Sequence, residues 1–435
     1  MTNKKRRWLL IPAILLAFLL VIALAGFFGL EYYTTKVLKQ EIDSQIQAMS
    51  DYVRVDYDSL GVNWLAFTVD LNQVRLRRPP LPGRIIIEKV SVRDFTSIGI
   101  NWLPTVIGLK NIALNNDAFN LTVQSAATSF SFSRIPSEEE IDRNWRILLE
   151  NLSSGRLNLK KVAFSDQNTQ VNIGNVTTDY SHSGTELKNL RVAINDVKSQ
   201  SGTTLLDAKA FSLAFTLDKK DVLRHISQKI QDFSCRFPAD WAKSNPFLAA
   251  LASLGYDRLA FGVDLAYDYQ PETRALHIAW DGAARDMGQV QLELNLSDYR
   301  SLPVPVSGSL VGLLNYLGKL QTPLENASLR GFTARYRDAG LVRRLIEAEA
   351  QSQGVTPREF SQNLVGTINS TLALLPLPVA IKDQVHAVNR FLLDPKEIQV
   401  TITCNPPARL QKLQEGSVTA LLEVLGKTEV KITAQ

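Results

Sequence analysis

Read for polarity alone, the chain divides where the spacing of its apolar residues changes. Residues 8–30 are 23 consecutive positions without a charged side chain. As a helix rising ~1.5 Å per residue, that run crosses a ~30 Å hydrocarbon layer. From Thr35 to Val53 the residues Val37, Leu38, Ile42, Ile46, Met49 and Val53 recur every three to five positions, which predicts an amphipathic helix. Beyond it the period is two. Phe67, Val69 and Leu71 alternate, the phase slips by one residue, and Val74 and Leu76 continue. The same apolar-x-apolar-x-x-apolar-x-apolar figure returns at Ile85, Ile87, Val90, Val92, then at Ile107, Leu109, Ile112, Leu114. It recurs at Leu157, Leu159, Val162, Phe164 and, more loosely, at Leu206, Ala208, Phe211, Leu213. Alternation predicts strands with one buried face, and the slip predicts a bulge or tight turn that re-aims each strand. So regular a recurrence predicts a repetitive, mostly antiparallel β-structure. The echo of Ser59–Leu65 in Ser97–Leu103, each ending Asn-Trp-Leu, fits internal duplication.

The rest of the chain is mixed. Ser137-x-x-Glu140 is a capping box that opens a helix over 137–152, inserted between β-segments. Helices are expected at 219–233, 238–254 and 308–320. Leu259, Phe261, Val263, Leu265 and Leu276, Ile278, Trp280 read as a hairpin turning at Pro271-Glu272. Strands follow at 289–296 and 327–336, helices near 339–352, 356–374 and 378–393, a strand at 397–404, a short helix near 416–425 and a closing strand at 428–434. The fold class is therefore mainly β with an α+β C-terminal portion, one transmembrane helix preceding the repetitive antiparallel sheet. The expected segments are a basic tail 1–7, a membrane span 8–30, a linker helix 31–55, a β-rich domain 56–217, a helical segment 218–256 and an α+β domain 257–435.

Charge fixes the expected topology. The net charge is +5, and Lys4, Lys5, Arg6 and Arg7 supply four of those charges. A basic tag before the apolar run keeps that end in the cytoplasm, and Tyr32 and Tyr33 suit the far interface. The bulk of the chain is then exported, whether the run stays as an anchor or is cleaved before Gly26 as a signal peptide. With the tag removed the charge is near neutral, so nucleic acid is not an expected partner.

Candidate chemistry is sparse. The four histidines, His182, His225, His277 and His386, stand far apart, and two cysteines exclude an all-cysteine metal centre. Gly308-Ser309-Leu310-Val311-Gly312 has its serine one place early for a nucleophile elbow. Gly312 to Gly318-Lys319 has one residue too many for a phosphate loop, and Leu320 stands where Ser or Thr is needed. No catalytic residue, metal or cofactor is assigned, and the expectation is a non-enzyme. Cys235 and Cys404, if exported, either bridge or remain as two buried thiols. Two arginine clusters, Arg75, Arg77, Arg78, Arg84 and Arg335, Arg337, Arg343, Arg344, read equally as lipid-headgroup contacts or as edge-strand charges.

The basic N-terminus, the single apolar helix, the segment Tyr57-Asp58-Ser59-Leu60-Gly61-Val62-Asn63-Trp64 and the run 158–180 following Leu157 resemble the AsmA-like family. The resemblance covers roughly residues 1–215. It implies an inner-membrane anchor, a β-rich periplasmic body and lipid transport through a hydrophobic groove. Membrane lipids are the expected partners, with Val69, Leu71, Leu109 and Leu159 as inward, lipid-binding positions. The alternative is a non-catalytic scaffold that binds an envelope protein.

Overall fold

A computed structural model describes residues 35–40, 42–44, 46–47, 54–63, 68–77, 84–98, 101–116, 118–132, 152–183, 186–218, 222–236, 245–301, 327–374, 379–410 and 428–435. The expected span 8–30 and the expected helices at 137–152, 308–320 and 416–425 lie outside these residues, apart from Leu152, which opens a strand. Among the described residues no helix is long and apolar enough to cross a membrane.

The protein is mainly a large antiparallel β-sheet with helices toward its C-terminus. Two compact units divide it: residues 1–148 with 157–167, and residues 149–156 with 168–435. In the first, β1 (Arg54–Asp56) and β2 (Ser59–Asn63) both pair with β3 (Thr68–Arg77). The chain then meanders through β4 (Arg84–Ile98), β5 (Asn101–Asn115) and β6 (Asn120–Phe132), each antiparallel to its predecessor. Strand β7 (Leu152–Ser165) follows. Residues 35–40, 42–44 and 46–47 are helical, as the linker-helix pattern predicts. The Tyr57 hydroxyl ties that helix to the sheet, donating to Asp43 Oδ1 at 2.6 Å. Burial, then this bond to a carboxylate, push the Tyr57 pKa up to about 12.

The recurrent phase slip has a backbone cause. Gln73, Asn111 and Lys161 sit in the x-x gaps of β3, β5 and β7 with φ of 54, 49 and 48°. One left-handed residue reverses which way the following side chains point, so the apolar set resumes on the same face one residue later. Neighbouring strands slip together. Asn72↔Lys89 and Val74↔Ile87 flank the slip between β3 and β4, and Lys89↔Lys110 and Ile87↔Ile112 flank it between β4 and β5. Four apolar ladders result on one face. They are Val62–Val69–Val92–Ile107, Leu60–Leu71–Val90–Leu109–Ala126, Val74–Ile87–Ile112–Val123 and Leu76–Ile85–Leu114–Leu121.

The second unit repeats the device. Its meander runs through β8 (Thr169–Ser183), β9 (Glu186–Ser201), β10 (Thr204–Leu217), β11 (Leu223–Arg236), β12 (Arg258–Gln270), β13 (Ala275–Ala284), β14 (Gly288–Ser297), β15 (Ser328–Asp338), β16 (Glu397–Arg409) and β17 (Thr428–Ala434). Asp196 and Asp232 hold the left-handed positions of β9 and β11, at φ 55 and 49°. Opposite Asp196 lies Gly174, where a Cβ would come within 2.9 Å of the Asp196 Cβ.

The helix expected at 219–233 is instead strand β11. Leu223, Ile226, Ile230 and Phe233 have helix-like spacing only because polar Gln228 interrupts the alternation and Asp232 adds the slip. Within the expected helical segment 218–256, β11 instead pairs with β10 on one side and β12 on the other. A shorter helix, α1 (Pro246–Ser253), falls inside the expected 238–254. Three more helices, α2 (Leu341–Ser352), α3 (Pro357–Leu374) and α4 (Val379–Leu393), stand where the periodicity predicts them. Thr356 and Glu359 form the capping box of α3: the Glu359 N–H donates to Thr356 Oγ1 at 3.2 Å, and the Thr356 N–H donates to Glu359 Oε2 at 2.9 Å.

Candidate functional site

Of the sequence-predicted positions, Val69, Leu71 and Leu109 lie on one face of the sheet. Val69 faces Val92, Leu71 faces Val90, and Val90 faces Leu109 on its other side. All three are half-buried beside the buried ladder through Val74, Ile87 and Val123. Leu159 is half-buried two positions before the slip of β7, the position Leu71 holds in β3.

Sequence reading missed a second apolar surface, in the other unit, where the face of β11–β17 is partly covered. At one end of the strands Leu223, Ile226, Tyr267, Leu276, Leu296, Tyr299, Leu329 and Cys404 form a buried cluster, against which Ile278, Leu294, Phe332 and Ile402 pack. At the other end α1 and the start of α2 seal β12–β14 through Leu251, Tyr256 and Met287, with Leu259, Ala284 and Leu341 against them. There α4 seals β15–β17 through Ala387 and Phe391, with Tyr336, Ile398 and Ile432 against them.

Between these seals runs a trough that no helix among the described residues covers. Its floor is Val263 and Leu265 on β12, Trp280 on β13, Val290 and Leu292 on β14, Ala334 on β15 and Val400 on β16. Every one of these is half-buried, and none belongs to a sealed cluster. Over β12–β14 the trough is two same-face residues wide. Such residues lie ~6.8 Å apart along a strand, so its width suits one hydrocarbon chain. At β15 and β16 a single residue, Ala334 or Val400, separates the two seals. Trp280 lies over Gly282, where a Cβ would land on the benzo ring of the indole.

The opposite face carries polar cross-strand pairs. His225 Nδ1 is 2.6 Å from Asp268 Oδ1, and His277 Nδ1 is 2.8 Å from Asn295 Oδ1. Among the described residues no three His, Cys, Asp or Glu side chains converge as a metal site. The second arginine cluster is largely structural. Arg335 and Arg337 both bind Glu397, with Nε–O distances of 2.9 and 3.1 Å. Burial pushes the Glu397 pKa up, but the two guanidiniums outweigh it and hold it below the usual carboxylate value. Arg344 stacks on Tyr256 at 4.5 Å, and Arg343 lines a cavity of about 460 Å³ with Arg337, Asp338 and Lys396. In the first cluster Arg75 pairs with Asp58 at 2.6 Å.

The bridge weighed for Cys235 and Cys404 is not formed; both thiols are free. Cys404 belongs to the buried cluster that holds Leu223, at one end of β11. Cys235 lies near the far end of that strand, opposite Leu206 and Leu259. At ~3.3 Å per residue that is roughly 40 Å, against the ~7 Å between Cα atoms that a disulfide spans at most. Burial pushes both thiols above their usual pKa.

A protein-family model described as "Uncharacterized protein" matches residues 281–435, from within β13 to Gln435, which include the narrow end of the trough. No curated protein matches the chain.

Proposed function

We propose that this chain is a membrane-anchored envelope protein that handles lipid, with an acyl chain lying on the apolar face of its sheet. The observation that carries the reading is the trough: a continuous apolar floor, one chain wide, whose side chains stay half-buried between sealed clusters. Apolar surface costs about 25 cal/mol per Å² when left in water, and each methylene buried on it contributes about 0.8 kcal/mol. A hydrocarbon chain is the occupant that offsets that cost without needing polar partners along its length. The apolar run at 8–30 and its basic flank support an anchor in the inner membrane, with the sheet in the periplasm beside a supply of acyl chains. The likeness to AsmA-like proteins points the same way.

A photo-crosslinking residue placed at Leu292 should capture lipid from cells. The same residue at Glu293, on the opposite face, should not. If neither position captures lipid while the protein remains folded, the lipid reading fails and a scaffold that binds an envelope protein takes its place.

A further inference from the structure

Followed strand by strand, the trough has two unlike ends. On the row Gln228–Leu265–Trp280–Leu292–Ala334–Val400–Ile432, each residue faces the next across the sheet. Every side chain from Leu265 onward is apolar. Ile432 at the end of the row packs with the α4 cluster of Ala387 and Phe391. That helix also closes the edge of β17: its Gln384 Oε1 accepts from the Ile432 N–H at 3.1 Å, and Arg390 Nη1 donates to the Ala434 carbonyl at 3.3 Å. At the other end the trough meets Gln228, a half-buried amide on the otherwise apolar face of β11, beyond which the row continues to Leu213, packed against the sealed cluster of Leu223.

We infer that the trough is a blind-ended holding site for one unbranched acyl chain, its methyl end stopped by α4 and its polar head at Gln228. The inference rests on the lipid reading above and adds direction to it. Six strand spacings of ~4.8 Å put Gln228 about 29 Å from Ile432, the reach of an acyl chain of about twenty carbons with its head. The narrowing to Ala334 and Val400 admits one chain and excludes a branch. A carboxyl or ester head has acceptor oxygens that the Gln228 amide satisfies; the other donor on the row, the Trp280 indole N–H, stands two strands further in, between Leu265 and Leu292. A fatty acid and a monoacyl lipid share this chemistry. The site thus retains its ligand; a conduit would be open at both ends.

The test uses the full chain and two photoreactive twenty-carbon fatty acids, one with its diazirine at the methyl end and one with it beside the carboxyl. The methyl-end probe should label peptides containing Val400, Phe391 or Ile432, and the carboxyl-end probe peptides containing Gln228 or Leu213. Gln228→Leu should weaken capture by about tenfold, the worth of one hydrogen bond, and scramble the positions. The unlabelled twenty-carbon fatty acid and a lysophospholipid, used as competitors, tell which head the site takes, and labelling reduced by neither overturns the inference. Both probes labelling the same peptides, or the reverse pattern, overturns the direction but leaves lipid handling intact. No labelling by either probe overturns both.

Discussion

Gln384 Oε1 accepts a hydrogen bond from the backbone N–H of Ile432 at 3.1 Å, so a helix side chain does for the last strand what a neighbouring strand would do. The N–H concerned does not serve the β16 ladder and would otherwise be open to a foreign strand. Arg390 does the same for the Ala434 carbonyl two residues on. Gln384→Ala should therefore cost about 0.5–1.5 kcal/mol in urea unfolding. It should also raise concentration-dependent association in size-exclusion chromatography. A variant as monodisperse and as stable as the parent would show that the edge needs no cap.

The left-handed residues make a sharper prediction, because they set the face of half of each long strand. Asn111 lies at φ 49°, and its amide donates to Glu88 on the next strand. Asn111→Val places a β-branched residue where L side chains are strained and should destabilise by about 1–2 kcal/mol or more. Asn111→Gly relieves the strain and should fall well short of that. Equal losses in the two variants, read by chemical denaturation, would mean that the backbone conformation is not what the position demands.

Acid should weaken the C-terminal part through two carboxylates, one on β16 and one capping α3. Glu397 is held below the usual carboxylate value by Arg337 and Arg335, and Glu359 by its backbone and side-chain bonds from Thr356. A carboxylate with a lowered folded pKa contributes stability that is present above the ordinary carboxylate range and is lost as pH falls through the folded value. The denaturation midpoint should therefore decline below about pH 4.5, and less steeply in Glu397→Gln. Parallel pH profiles for parent and variant would remove Glu397 from the account.

Trp280 reports on the trough. Its indole occupies the space a Cβ at Gly282 would take, so Gly282→Val must push the ring along the trough. Overpacking of this kind costs about 1–3 kcal/mol. It should shift the Trp280 emission, isolated by subtracting the spectrum of Trp280→Phe. An unshifted spectrum would contradict the close packing of the two residues.

Much of this architecture is written in local pattern. The slip in Leu71-x-x-Val74 or Leu109-x-x-Ile112 is visible as spacing, and the left-handed Gln73 and Asn111 are its backbone expression. In β11 the pattern misleads, because Gln228 stands at an apolar position and leaves a spacing that a helix also satisfies. The exception is a single polar side chain on a face that is apolar again at Leu213. Val69, Leu71 and Leu109 were legible as face residues because alternation alone decides a face. The trough was not, because Leu292 and Leu294 are alike in sequence. They differ only in whether the cluster around Tyr299 and Leu296 reaches them, a matter of long-range packing.

The central claim is that the folded chain holds a lipid acyl chain in the trough, and native mass spectrometry of the full-length protein released from detergent tests it most directly. The account predicts a lipid-sized mass adduct on the parent at about one per chain, identified as an acyl lipid after extraction. It also predicts loss of that adduct in Leu292→Asp, which puts a charge on the floor at a cost the acyl chain cannot meet. A parent that carries no lipid adduct, or an adduct unchanged in Leu292→Asp with the fold intact, would contradict it.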